Sequence, residues 1–225
     1  MDFMRALTFP FEDEEWLKKL GLGVLIQFIP IVGSLALQGW SFELSKRVKN
    51  NDPVPLPDWS DFGGKLGKGF MIFLAMLIYQ IPSIIIGCII GFAPTLLAAG
   101  GDSDEGLAAA GTAVTAIMAC CGCILIIYII LAAIVFWGGY VRYLDTEEFG
   151  TFMQFGENFG LVRENIGDFG MALVYVIAAS LIASLAASVT FGLGSLLLTP
   201  FILYFSGHIL GQLAIKVAGP AVPAV

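Results

Sequence analysis

The sequence predicts an all-α protein, a polytopic transmembrane bundle of four or five spanning helices with cytoplasmic interfacial amphipathic helices. Of the 225 residues, 58% are hydrophobic and only 13% are charged, whereas a soluble domain has roughly 25% charged residues. Charged residues are missing from four stretches: 20–42, 69–101, 106–141 and 169–215. Since a helix needs about 20 apolar residues to cross a hydrocarbon core of about 30 Å, these stretches exclude a soluble enzyme.

The lengths of the uncharged stretches predict how many helices each one forms. The 47 residues of 169–215 suffice for two spans of about 21 residues joined by a turn at 191–194. The single membrane domain 1–225 then comprises an interfacial segment at 1–19, a spanning or re-entrant segment at 20–42, a cytoplasmic loop with an amphipathic segment at 43–68, a transmembrane helix at 69–97, an external acidic loop at 98–106, a transmembrane helix at 107–141, a cytoplasmic amphipathic segment at 142–168, and transmembrane helices at 169–190 and 195–216.

The basic residues predict the orientation. Beyond residues 1–19, they lie in loops 43–68 and 142–168 and at Lys216, whereas 98–106 and 191–194 have none. Short cytoplasmic loops are enriched in Lys and Arg, so both basic loops and the C-terminus are predicted to be cytoplasmic. The net charge of −7 argues against a nucleic-acid partner, because binding to phosphates depends on Lys and Arg.

Segment 20–42 leaves two alternatives open. A single crossing puts the N-terminus outside together with Arg5, Lys18 and Lys19, whereas a re-entrant dip leaves all eleven bases cytoplasmic. Pro30 and Gly33 lie near the middle of the segment, and arms of about 11 residues would reach about 17 Å, half of the hydrocarbon core. The charge distribution favours the dip.

Three similar segments, at 9–23, 56–70 and 155–170, each precede an apolar run with acidic and aromatic residues. Their aromatic rings suit the headgroup boundary, where one side of a ring is apolar and the other is wet. The predicted interfacial residues are Trp16, Trp59, Phe62, Phe155 and Phe159. The alternative interpretation is that any loop beside a membrane helix has this composition.

The residues that could carry chemistry are few. His208 is the only histidine; it could ligate a haem or a pigment, but a hydrogen bond to a neighbouring helix is the favoured interpretation. The cysteines within 118–123 have no second pair of ligands to complete a metal site, and no nucleophile elbow or paired carboxylate occurs in a span. The sequence therefore predicts no catalytic residue, no metal and no cofactor, hence no enzyme.

Small residues recur at four-residue spacing in three of the predicted helices, a pattern that lets helix backbones approach closely. The predicted packing positions are Gly87, Gly91, Ser180, Ser184, Ser188, Gly207 and Gly211. Internal helix contacts are the favoured interpretation, and a homodimer face is the alternative.

Several motifs together carry a family resemblance: PFEDEEWLKKLGLG at 10–23, IPIVG at 29–33, GWSFELSKRV at 39–48, LPDWSDF at 56–62, NFGLVRENIGDF at 158–169 and GHILGQLA at 207–214. The chain resembles the domain of unknown function 4013 family. The resemblance implies a multi-pass protein of a prokaryotic cell membrane, with no assigned activity, so it supplies no site residues.

The predicted function is a non-catalytic scaffold or accessory subunit of a membrane complex, with the bilayer and other membrane-protein subunits or a second copy as partners. The first alternative is a small permease or channel for neutral or lipidic solutes, lined by Gln80, Pro82, Pro94, His208 and Gln212. No charged residue lies mid-membrane, which argues against proton-driven transport. The second alternative is a pigment- or haem-binding subunit that uses His208.

Overall fold

The computed structural model describes residues 1–99, 104–189 and 194–219. The chain is about 85% helical, and no strand occurs in these ranges. The helices are α1 (Phe3–Thr8), a 3-10 helix (Phe9–Glu12), α2 (Trp16–Gln27), α3 (Val32–Lys49), α4 (Phe62–Ala99), α5 (Asp104–Thr146), α6 (Gly150–Met153), α7 (Phe155–Glu164), α8 (Ile166–Val189) and α9 (Ser195–Ala218). Four stretches are long and apolar enough to cross a membrane: Phe62–Phe92, Cys120–Thr146, Ile166–Val189 and Leu198–Ala218. The prediction of an all-α fold with membrane-spanning helices is confirmed.

Contacts divide the chain into two compact units. The first comprises Met1–Ala75 and Val135–Val225, and the second comprises Met76–Ile134. Within the second unit, the Tyr128 hydroxyl donates a hydrogen bond of 2.7 Å to the carbonyl oxygen of Tyr79. This bond ties α4 to α5, and the clusters described below belong to the first unit.

Helices α2 and α3 form an antiparallel hairpin. Their connection includes Pro30, which has no N–H for a continuous helix, and Ile31, whose φ of 63° lies in the left-handed region. A methyl group on Gly23 would lie 3.5 Å from Leu37, and one on Gly33 would collide with the carbonyl oxygen of Ile26. The arms are therefore in close contact along their length.

The hairpin has the shape that the re-entrant alternative predicts. Helix α2 has 12 residues, which span about 18 Å, well short of a hydrocarbon core. At the tip, Phe28 and Ile31 are exposed, Ile31 by 76%. An apolar tip of this kind suits lipid, and its depth in the bilayer stays a prediction.

The open end of the hairpin is held by two tryptophans. The indole N–H of Trp59 donates to the carbonyl oxygen of Lys19 at 2.8 Å, and that of Trp40 donates to Pro57 at 2.9 Å. The two indoles stack at 5.9 Å with an interplanar angle of 8°. Trp59, predicted as an interfacial residue, thus joins the loop after α3 to both arms.

Helix α3 packs most extensively against α9. A methyl group on Gly211 would lie 2.6 Å from Cβ of Val48 and 2.7 Å from the Ser45 carbonyl oxygen. The hydroxyl of Ser45 donates to the carbonyl oxygen of Gly207 at 2.8 Å. Ser41 makes the equivalent bond to Leu203 at 2.7 Å. The two backbones therefore meet without side chains between them.

Helix α8 covers another side of α9. The buried residues of α8 are Phe169, Ala172, Ala179 and Ala183. Three of the four are alanines, and small side chains permit close helix packing in a membrane. The internal contact of α8 therefore uses an alanine row.

Helix bounds differ from the predicted ones where charged residues continue a helix. Helix α3 extends beyond residue 42 to Lys49, and α4 begins at Phe62 instead of residue 69. Bases in the last turn of a helix interact favourably with its dipole, and the charged side chains in both extensions have partners. The ends of these two helices therefore do not coincide with the ends of the uncharged stretches. Residues 191–193 of the predicted turn and 100–103 of the acidic loop lie outside the described ranges.

Substitution of Gly211 by alanine is expected to destabilise the fold. The added methyl group meets backbone and a β-branched side chain of α3, and overpacking of this kind costs about 1–3 kcal/mol. Thermal unfolding of the purified protein in detergent should show a lower Tm. Gly91→Ala is the matched control, because no atom of the described residues lies within 4 Å of the added methyl group. Equal Tm values for the two variants would contradict the close approach of α3 and α9.

Candidate functional site

A cluster of ion pairs joins α3 to α4 and α5. Its members, called the charge cluster below, are Glu43, Lys46, Arg47, Lys49, Lys65, Lys68, Asp145 and Glu147. Lys46 and Lys68 bind the two carboxylate oxygens of Glu147. Glu43 binds Arg47 at 2.6 Å and Lys65 at 2.7 Å, and Lys49 binds Asp145. The bases of the predicted cytoplasmic loop are thus paired within the chain.

Two of these lysines are almost completely buried. The side chains of Lys49 and Lys65 are each 3% exposed. A buried charge is costly unless it is paired and hydrogen-bonded, so removing Glu43 or Asp145 would leave an uncompensated ammonium group. The charge cluster is therefore a structural requirement of this end of α3.

Glu147 is the centre of the charge cluster. Hydrogen bonds from Lys46 and Lys68 hold the pKa of its carboxyl below the ordinary value of 4.5, although partial burial opposes the shift. Both lysine bonds favour the charged carboxylate. Glu147 therefore stabilises the fold only while it is ionised.

A second polar centre, at Asn158, was missed by sequence reasoning. Asn158 is fully buried, and its amide donates to the carbonyl oxygens of Thr151 at 3.0 Å and Phe152 at 3.3 Å. Its oxygen accepts a bond of 2.7 Å from Arg142. The asparagine thereby ties α7 to α5 and to α6 between them. The only sequence signal is that Asn158 opens the motif NFGLVRENIGDF.

A cavity of about 280 Å³ lies between the N-terminal segment, the loop after α3 and α9. Its lining residues are Asp2, Arg5, Phe9, Glu12, Val48, Asn51, Asp52, Pro53, Pro55, His208, Gln212 and Ile215. We call this space the His208 cavity. It combines charged groups from the N-terminal segment with the only histidine of the chain.

A series of hydrogen bonds from Asp2 through Gln212 fixes the tautomer of His208. The backbone N–H of Asp2 donates to the side-chain oxygen of Gln212 at 2.5 Å, so the amide nitrogen of Gln212 faces the Asp2 carbonyl oxygen at 3.1 Å and Nδ1 of His208 at 2.9 Å. Since that nitrogen donates, Nδ1 accepts, and the proton of a neutral ring lies on Nε2. The ring also stacks on Phe9 at 4.3 Å.

The haem or pigment alternative for His208 is poorly matched by this cavity. Nε2 is available as an axial ligand would need. However, 280 Å³ is at the lower limit of pockets for drug-sized ligands, about 300–1,000 Å³, and a tetrapyrrole is larger than such ligands. The predicted hydrogen bond from His208 to a neighbouring helix is not the one observed: its described hydrogen bond is to Gln212 of its own helix.

The predicted packing residues fall into three groups. Gly207 and Gly211 contact α3, whereas methyl groups on Gly87 and Gly91 would have no described atom within 4 Å. The hydroxyls of Ser180, Ser184 and Ser188 bond to carbonyl oxygens of α8 itself. Ser184 and Ser188 are exposed, outside the buried alanine face. The homodimer alternative for this row stays a prediction.

The predicted interfacial aromatics also differ in exposure. Phe155 and Phe159 are exposed and lie one turn apart on α7, whose buried side carries Asn158 and Val162. Trp16 and Phe62 are half-buried, like Trp59. Helix α7 therefore presents an apolar pair outward, as an interfacial helix would.

Close approaches of α3 to α4 were also missed. A methyl group on Gly39 would collide with the Lys65 carbonyl oxygen, and one on Gly69 with that of Leu35. The other packing positions were identified as small residues spaced four apart on one helix. Gly39 and Gly69 lie on different helices, so that pattern could not identify them. Only the glycine-rich run 63–69 could have suggested them.

The two glutamines of the permease alternative make hydrogen bonds within the chain. The Gln80 side-chain oxygen accepts a bond of 2.6 Å from Ser83, one turn along α4. Gln212 is bonded to Asp2 and His208. Pro82 is exposed, and the side chain of Pro94 lies outside what the structure describes. The cysteines at 88, 120, 121 and 123 are free thiols.

Comparison with known proteins gives a family. The family model described as "Protein of unknown function (DUF4013)" matches residues 22–192, which confirms the resemblance drawn from the motifs. No curated protein and no solved structure matches the chain. The matched range contains the charge cluster and Asn158, whereas Asp2, Arg5 and His208 lie outside it.

Substitution of Glu147 by glutamine is expected to reduce the loss of thermal stability at low pH. The lowered pKa of Glu147 means that its contribution is present above 4.5 and is lost as the pH falls through the lower folded-state value. Glutamine cannot titrate, so the Tm of Glu147→Gln should fall less steeply below this pH than that of the wild type. Glu14→Gln, at an exposed carboxylate, is the control. If the Tm of Glu147→Gln fell with pH as steeply as that of the wild type, Glu147 would not be the group that titrates.

Substitution of Gln212 by leucine is expected to release the N-terminal segment. Leucine has a similar size but cannot bond to either backbone group of Asp2. Losing two bonds of about 1 kcal/mol each should raise the rate of tryptic cleavage after Arg5 roughly 30-fold, because cleavage follows the open population. Ser206→Ala is the control, since that hydroxyl bonds only to carbonyl oxygens of α9. Equal cleavage rates would show that Gln212 does not hold the segment.

Proposed function

Because the chain belongs to the DUF4013 family, whose description assigns no function, we propose its role from its own structure. It is a non-catalytic scaffold or accessory subunit of a membrane complex. A transmembrane helix of another subunit binds the outer face of α8. The observation that carries this proposal is that α8 has small residues on two faces, one of which is left uncovered by the described chain.

The two faces of α8 are chemically distinct. The inner face is the alanine row against α9. On the outer face, Ser184 and Ser188 are exposed beside Leu181 and Leu185, which are among the most exposed large side chains. Both serine hydroxyls already bond to carbonyl oxygens of α8 at 2.7 Å. The outer face thus presents an apolar surface with small positions, which favours close approach of a second helix.

Two observations favour a scaffold over the permease alternative. The amide groups of Gln80 and Gln212, which would line a path, are engaged in hydrogen bonds within the chain. Gly207 and Gly211 bring α9 directly onto α3, so this interface has no room for a solute.

The orientation proposed for the subunit follows from its bases. The charge cluster and Arg142 lie at the same end of the first unit as the loop after α3, and short basic loops are cytoplasmic. We place this end in the cytoplasm of a prokaryotic cell, with the α2–α3 hairpin entering the bilayer from that side. The N-terminus is then cytoplasmic as well.

The double variant Ser184→Leu with Ser188→Leu tests the proposed helix contact. Leucines fill the small positions, so the partner helix can no longer approach, and the complex should dissociate. Mass photometry of the protein extracted in native nanodiscs measures this. The wild type should exceed the mass expected for one 24.0 kDa chain, and the double variant should not.

Val174→Leu is the matched control, because it adds bulk to an exposed position of α8 at a distance from both serines. This variant should keep the wild-type mass. A wild type that already has the mass of one chain would contradict the scaffold proposal. A complex of twice the chain mass would identify the partner as a second copy.

A further inference from the structure

The His208 cavity offers more hydrogen-bonding capacity than the chain itself uses. Among the residues that the structure describes, neither the guanidinium of Arg5 nor the carboxylate of Glu12 makes a hydrogen bond or an ion pair. His208 is only 3% exposed, and its one hydrogen bond uses Nδ1. Its Nε2–H is therefore a donor in the cavity wall without a partner in the described chain. Nε2 is not among the buried polar atoms that lack both a partner and solvent access, so it is open to the cavity and available to a bound acceptor.

The acidic groups of the cavity are held in place by backbone N–H groups. Asp52 accepts from Val54 at 3.1 Å, and Asp2 accepts from Arg5 at 3.0 Å. Each bond uses one carboxylate oxygen and leaves the other oxygen available to a ligand. With Glu12, the cavity thus has three carboxylates and one guanidinium.

This balance of charge decides the class of ligand. A simple anion would satisfy Arg5 and His208 but would be repelled by the three carboxylates. A simple cation would satisfy the carboxylates but would leave both donors unused. A molecule that carries both charges satisfies the donors and the acceptors together.

We infer that the His208 cavity binds a phosphoethanolamine group, a zwitterion that joins a phosphate to a primary ammonium. Arg5 binds the phosphate, since the guanidinium fork matches its oxygens, and Nε2–H of His208 donates to it. Glu12 and Asp52 accept the ammonium N–H bonds. The group comes either from the headgroup of an ethanolamine lipid or from a free phosphoethanolamine. The site is independent of the outer face of α8.

Ligand chemistry provides the first test, on the wild-type full-length chain in detergent. Isothermal titration calorimetry with O-phosphoethanolamine should show saturable binding. Phosphocholine, whose ammonium has no N–H, should bind more weakly, as should inorganic phosphate and ethanolamine alone. Equal affinity for inorganic phosphate would overturn the inference, because it would identify a plain anion site.

Nanodiscs separate the two sources of the ligand. If the lipid is the ligand, the Tm should be higher in discs of phosphatidylethanolamine than in discs of phosphatidylcholine, and free phosphoethanolamine should add nothing further. If the free molecule is the ligand, it should raise the Tm in both kinds of disc. No response to either source would overturn the inference.

Two variants assign the roles of the residues. Arg5→Gln and Glu12→Gln each remove one charged hydrogen bond, which should weaken phosphoethanolamine binding roughly 10- to 100-fold. Arg5→Gln should also abolish the preference for phosphoethanolamine over ethanolamine. Lys18→Gln is the control, since Lys18 lies on the same N-terminal segment, pairs with Glu15 and is outside the cavity. Wild-type affinity in Arg5→Gln would refute the site, and the ligand series on the wild type decides the case if a variant fails to fold.

Discussion

The close approach of α3 and α9 is the contact on which the other features of the first unit depend. Glycines at 207 and 211 remove the side chains that would separate the helices, and serines at 41 and 45 then reach the carbonyl oxygens of α9. Tyr140 lies 3.1 Å from the Ser45 hydroxyl, so α5 joins the same contact. Helix α3 also forms one arm of the hairpin and carries half of the charge cluster. Its position relative to α9 therefore determines where the hairpin and the charge cluster lie.

The charged residues have a different role from the one that their positions in the sequence suggest. Lys and Arg outside the apolar stretches were used to predict the orientation, but they also hold three helix ends together through carboxylate partners. Two buried lysines make this arrangement obligatory, since each needs its acid. In contrast, the charges around His208 are only partly paired, and this contrast within one end of the molecule identifies the cavity as a binding site and the charge cluster as a framework.

Sequence reasoning reached the elements that depend on local composition. Uncharged stretches predicted the spanning helices, and Pro30 with Gly33 predicted the break in segment 20–42. Contacts between distant segments could not be predicted, because nothing local shows that Asp2 returns to Gln212, 210 residues later. Gly39 was missed for the same reason, since it meets the backbone of α4 at Lys65. Asn158 was missed although its partners lie only 6–16 residues away, because an asparagine has no spacing pattern that predicts a buried network. Ser184 and Ser188 were recognised as a row of small residues, but spacing alone does not tell an inner face from an outer one.

The backbone of Ile31 bears on how the protein is assembled. Ile31 has φ 63° and ψ −61°, and the N–H of Val32 donates to the carbonyl oxygen of Pro30 at 2.6 Å, which is the geometry of a γ-turn with positive φ, a rare and strained conformation. The bend must therefore be imposed by the arms on either side, which meet through Gly23 and Gly33. It follows that the apolar turn keeps its strained conformation only while α2 stays packed on α3, so the geometry of the tip reports on the contact between the two arms.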